Sequence, residues 1–132
     1  MHVLIHFKTD MFNTRKEREN PYNPIAGESI LYWIYENVLD GRYEAVNDPD
    51  AEDWGWYITA THDDRNYMIG GVAFDGDTEP GETLEWLVQI DKDRTFMEKL
   101  TGKGKIDKAD TLVQAIYAGL ASEPRFIDVE FE

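Results

Sequence analysis

The chain has 132 residues, 27 of them acidic and 13 basic, for a formal charge of −14 at pH 7, and it has no cysteine. Disulfides, thiolate metal sites and a cysteine nucleophile are thereby excluded, and so acidic a surface repels nucleic acid and anionic membranes. Hydrophobic residues make up 42% and aromatics 13%, spread from Phe7 to Phe131, so a single domain over residues 1–132 with a continuous core is expected.

The opening stretch lacks a charged region followed by an apolar one, and no apolar run approaches a membrane span, so a cytoplasmic location is expected. Val3, Ile5 and Phe7 alternate with polar neighbours and read as a strand. Residues 10–20 are nearly devoid of apolar side chains and read as a loop, prolonged through Asn20-Pro21-Tyr22-Asn23-Pro24 because residues preceding proline favour extended geometry. A helix follows, starting either at Asn23-Pro24 or at Gly27. It carries Ile30, Ile34 and Val38 on a broad apolar stripe that calls for burial, and Gly41 ends it.

Asn47 to Asp53 is an acidic loop. Strands are predicted over Trp54 to Thr61, Tyr67 to Phe74 and Leu84 to Asp91, joined by turns at 62–66 and 75–82 into an antiparallel meander. Gly70-Gly71 marks a bulge or a close approach by another element. Asp93 caps a short helix to Leu100, ended by Gly102, and Lys103-Gly104-Lys105 reads as a mobile basic linker. Asp110 caps a second long helix carrying Leu112, Val113, Ile116 and Leu120, closed by Pro124. Ile127, Val129 and Phe131 form a last strand. The expected fold is α+β: a mixed, mainly antiparallel five-stranded sheet with its helices on one face, in the order β-α-β-β-β-α-α-β.

Motifs with chemistry are few. His62, beside Asp63 and Asp64, has neighbours that suit a base or a metal ligand, although a turn histidine among acids is more often a surface group. Asp75-Gly76-Asp77-Thr78-Glu79 resembles the start of a calcium loop, but Pro80 stands where the turn needs glycine, and an acidic hairpin loop is the better reading. Ser29 and Ser122 lie in no nucleophile elbow. The basic stretch lacks the glycine-rich loop and helix start of a phosphate cradle. The aromatics carry more: Trp54 and Trp56 are expected on one sheet face and Tyr57 on the other. Whichever face the helices leave open, with Tyr57, Thr59, Thr61, Met68 and Leu87 or with the two tryptophans, would mark a partner or ligand site, although ordinary core filling is the better reading of these aromatics.

At residues 23–29 (Asn-Pro-Ile-Ala-Gly-Glu-Ser), 52–57 (Glu-Asp-Trp-Gly-Trp-Tyr) and 85–89 (Glu-Trp-Leu-Val-Gln), the chain resembles bacterial hypothetical proteins of similar length. That resemblance implies a stand-alone bacterial domain and carries over no activity and no catalytic residue.

The functional expectation is a non-enzymatic, acidic protein-binding domain, in a narrower form an immunity-type inhibitor of a basic partner, with self-association as a homodimer also open. Its contact residues are expected among Asp48, Asp50, Glu52, Asp53, Trp54, Trp56, Tyr57, Asp75 and Asp77, with no cofactor, nucleic acid or membrane involved. The alternative is a small-ligand or metal-dependent enzyme built on His62 and its neighbouring carboxylates.

Overall fold

The computed structural model describes residues 2–74, 79 and 81–132. Strand β1 (Val3–Thr9) buries Val3, Ile5, Phe7 and Thr9 on one side and leaves Leu4, His6 and Lys8 half-buried on the other. A 3-10 turn at Thr14–Lys16 leads towards α1 (Glu28–Ile34), which continues as a π-helical turn over Tyr35–Leu39. Next come β2 (Glu44–Ala45), β3 (Asp50–Glu52), β4 (Gly55–His62), β5 (Arg65–Ala73) and β6 (Leu84–Lys92). Helices α2 (Phe96–Thr101) and α3 (Thr111–Ser122) precede β7 (Ile127–Phe131).

The sheet has seven strands in the order β2–β4–β5–β6–β1–β7, with β3 also on the edge of β4, and every pairing is antiparallel. This corrects the expectation of five strands in a mixed sheet. The two additional strands are only two and three residues long, and β3 lies inside the acidic segment read as loop. Such strands carry no apolar alternation of their own and exist because β4 offers an edge. The meander β4–β5–β6 is as the sequence predicts. The first and last strands are neighbours, with Ile5 opposite Phe131.

One sheet face is covered. Ile30, Leu31 and Ile34 of α1, and Leu112, Val113, Ile116 and Leu120 of α3, join Ile5, Phe7, Trp56, Ile58, Ile69, Trp86, Val88 and Ile90 in one buried cluster. Phe126 sits between Phe7 and Trp33, with ring centroids 4.7 and 4.8 Å away. Helix α2 departs from the one-face layout, because it contributes no buried residue.

Helix α1 starts at Glu28, with Gly27 as its cap, so the Asn23-Pro24 start is corrected. A glycine cap has no side chain to satisfy the free N–H groups of the first turn. Glu17 supplies the acceptor from the preceding loop: its carboxylate accepts from the backbone N–H of Gly27, Glu28 and Ser29 at 2.8–2.9 Å and from the Ser29 hydroxyl at 2.6 Å. Negative charge at that position also complements the helix dipole. The loop is itself pinned. Buried Asn20 donates to the carbonyls of Glu52 and Gly55 and accepts from the N–H of Tyr22 and Asn23. Arg18 donates to the carboxylate of Glu28, which is 5% exposed. The same guanidinium also reaches Asp48 at 3.1 Å and the Pro49 carbonyl at 2.7 Å.

Gly70 and Gly71 form no bulge, as β5 stays in register with β4 and β6 throughout. They are close approaches, one on each face. A β-carbon on Gly71 would lie 2.6 Å from the Gly27 carbonyl oxygen, and one on Gly27 would lie 2.0 Å from that of Gly71. Beside this contact Ala73 N–H donates to the Ala26 carbonyl at 2.8 Å.

At the far end, Asp110 caps α3 as the sequence predicts, accepting from Leu112 and Val113 N–H. It also accepts from the Tyr67 hydroxyl at 2.9 Å and from Lys92 Nζ at 3.1 Å. Burial pushes the Asp110 carboxyl up, but these donors outweigh it and hold it below its ordinary value. Burial, and then the bond to Asp110, push the Tyr67 hydroxyl up. Helix α2 is capped by Thr95 rather than Asp93, in a reciprocal Thr95–Glu98 box.

Two outcomes follow. Removing the remote cap with Glu17→Ala leaves three N–H groups without their acceptor and should lower unfolding stability by about 1–3 kcal/mol, with Glu17→Gln recovering part of it; urea denaturation at neutral pH that shows no loss for Glu17→Ala contradicts this role. Glu98 is held at about 2, against an ordinary 4.5, by the Arg65 guanidinium first and the Thr95 N–H second. A depressed carboxylate favours the folded state above its unfolded value, and that contribution fades as pH falls through the folded value. Carbon-13 carboxyl NMR should therefore show Glu98 titrating near 2 together with the α2 amide shifts, and a midpoint near its ordinary value would show the clip to be absent.

Candidate functional site

The second sheet face receives neither α1 nor α3. Residues directly opposite in an antiparallel pair project to the same side, so the registers fix its composition. Tyr57 lies opposite Gly70 and Gly70 opposite Gln89, while Val72 lies opposite Leu87 and Leu87 opposite His6. Leu4, Tyr57, Met68, Val72 and Leu87 there are half-buried, and Thr59 is exposed. This uncovered sheet face is mixed in character, its half-buried apolar side chains interleaved with His6, Thr59 and Gln89.

Trp54 sits at its centre. The residue precedes β4 in the turn closing the β3–β4 hairpin, and its ring lies against the Gly70 backbone, where a β-carbon would come within 2.7 Å of it. The Tyr57 ring is 6.5 Å away at 35°. Trp54 and Trp56 therefore lie on opposite faces, which corrects the expectation that they share one. Gly55 between them, at φ 153°, breaks the simple alternation. Trp56 points into the core, 3% exposed, its indole N–H donating to the Ile25 carbonyl at 3.1 Å and Arg18 stacked 5.2 Å from its ring centre. It belongs to the framework, and its edge also lines the cleft at the hairpin rim.

The acidic residues of the hairpin fall at the rim. Asp50 lies opposite Tyr57 and Glu52 opposite Gly55, so both project on the Tyr57 side. Both are exposed, as is Asp53, and none of the three makes an ion pair among the described residues. Asp48 is also exposed but engaged with Arg18. Asp75 and Asp77, with the calcium-type loop, lie outside the described residues. A cleft of about 450 Å³ runs along this rim, bounded by Tyr22, Asp50, Glu52 and Tyr57. Tyr22, 64% exposed, was not among the expected contact residues. Only the folding-back of the proline-rich loop, fixed by Asn20, brings it there.

His62 ends β4, its Nε2 3.4 Å from the exposed Asp63 carboxylate and its ring edge-on to Tyr43 at 5.0 Å. Asp63 and Asp64 both have positive φ, at 52° and 59°, the geometry of a two-residue hairpin turn. Among the described residues no group of three or more His, Asp or Glu side chains converges as a metal site would require. No family model, no curated protein and no solved structure matches the chain.

The seat of Trp54 is testable. Gly70→Ala should displace the half-buried ring, altering tryptophan emission while costing no more than about 1–3 kcal/mol. Gly71→Ala should cost more, because the obstacle there is a backbone carbonyl that cannot swing aside. Equal losses in denaturant unfolding would contradict this difference.

Proposed function

We propose that the chain is a non-enzymatic binding domain that takes a basic protein partner on the open sheet face, between the Trp54–Tyr57 pair and the Asp50–Glu52 rim. The observation that carries this reading is the seat of Trp54 on Gly70 beside carboxylates without counter-ions. An aromatic side chain already fixed in place loses little further entropy on binding, which is the property of an interface anchor. Arginine and lysine of a partner are matched by this chemistry twice over, by stacking on the accessible part of the half-buried Trp54 and Tyr57 rings and by pairing with Asp50 and Glu52. A net charge of −14 speeds the encounter with a basic surface. An inhibitor of the immunity type, which blocks a basic toxin or nuclease, is the narrower form of this proposal.

Affinity capture from the source organism's lysate tests it with four matched baits. The wild-type chain should retain basic proteins that are released at high salt. Tyr57→Ala and Asp50→Lys/Glu52→Lys should lose them, whereas Glu36→Lys/Asp40→Lys, with the same change in net charge on exposed positions of another region, should keep them. Equal loss in the last variant would show that bulk charge, and not this face, does the binding.

A further inference from the structure

The other end of the strands carries a locally basic concavity. A cleft of about 700 Å³ opens between the end of β6 and α2, lined by Lys92, Arg94, Lys99 and Lys105 against Asp91 and Asp93, with Ile106 as apolar floor. In a chain with twice as many acids as bases, four cations around one concavity run against the composition. Lys92 is partly buried and paired with Asp110. Arg94, Lys99 and Lys105 make no ion pair among the described residues.

The carboxylate best placed by sequence to neutralise them is engaged elsewhere. Glu98 grips Arg65 with both oxygens and accepts from the Thr95 N–H at 2.9 Å. The stretch expected to be a mobile linker folds over that carboxylate: a β-carbon on Gly104 would come within 2.0 Å of it, and Gly102 and Gly104 turn the chain at φ 73° and 72°. Lys103 N–H donates back to the Glu98 carbonyl at 2.9 Å. The walls are thus organised by Glu98, while Arg94, Lys99 and Lys105 face the cleft without an ion pair among the described residues.

We propose that this cleft binds a phosphate-bearing ligand. Several unpaired cations around a concavity suit a multiply charged oxyanion, for which guanidinium and ammonium donors are the usual partners. The volume is that of a small-molecule site. Asp91 and Asp93 are acceptors for hydroxyl groups on the same ligand. The neighbouring helix exposes Phe96, Met97 and Leu100 by 73%, 64% and 65%, so the phosphate is supplied either by a soluble metabolite or by a lipid headgroup whose acyl side meets α2.

Isothermal titration of the intact chain with inorganic pyrophosphate, alongside co-sedimentation with phosphatidylcholine vesicles containing phosphatidic acid, separates the two sources. Saturable pyrophosphate binding identifies a soluble ligand, and binding to the vesicles alone identifies the headgroup. In either case Lys99→Gln/Lys105→Gln should weaken binding about tenfold or more, and Lys16→Gln, exposed and outside the cleft, should leave it unchanged. Both double-variant positions are exposed, so circular dichroism should show the fold retained. No binding to either probe, or equal binding by the double variant, overturns the proposal.

Discussion

The layout of this protein rests on one backbone-to-backbone contact, that of Gly27 on Gly71. Neither position has room for a β-carbon, so the chain entering α1 presses directly on the sheet instead of standing off by a side-chain layer. The bridge from Ala26 to Ala73 fixes that approach in register. From there the direction of α1 is set, and with it the burial of Ile30, Leu31 and Ile34. The long loop before it must then fold back to supply the cap that a glycine cannot give. Glu17 satisfies the N–H groups of the glycine-capped helix start, while Arg18 and Asn20 hold the loop that carries it against Glu28 and the β3–β4 segment.

Much of the fold was legible because its apolar periodicities are strong. The meander, both long helices, the Asp110 cap and the last strand all follow from alternation or helical spacing. The two short edge strands were not legible, because Glu44–Ala45 and Asp50–Glu52 are strands only by virtue of the β4 edge they meet. The Gly70-Gly71 pair announced a close approach but not that each glycine serves a different face. For the candidate site, Tyr57 and the acidic rim could be read from the residues. The separation of Trp54 from Trp56 could not, since it depends on the positive φ of Gly55 and on what Gly70 leaves empty. Tyr22 reached the rim through hydrogen bonds made by Asn20, which no local pattern encodes.

The two candidate surfaces differ in kind as well as in charge. The open face mixes half-buried apolar and polar side chains, with Trp54 seated on Gly70, and it belongs to the sheet itself. The basic cleft is walled by a six-residue helix that buries nothing, attached through the Arg65–Glu98 clip and its own caps. Trp56 pairs with Gly71 while Tyr67 pairs with Lys92, so the acidic rim and the cationic cleft stand at opposite ends of the same strands.

The placement of β1 bears on how the chain is made. Its ladder partners are β6 and β7, and the Thr9 hydroxyl closes on the Arg125 carbonyl across 116 residues. On the ribosome β1 emerges before both of its partners: it has no neighbour until residues 84–92 follow, and its second edge stays bare until residues 127–131 are made. The β4–β5 hairpin, closed by a two-residue turn, forms from local contacts long before then. Non-local pairing of this kind slows folding and leaves an apolar strand available to wrong partners in the interval. The half-buried His6 and Lys8 interrupt its apolar run, and such interruptions protect a strand that must wait.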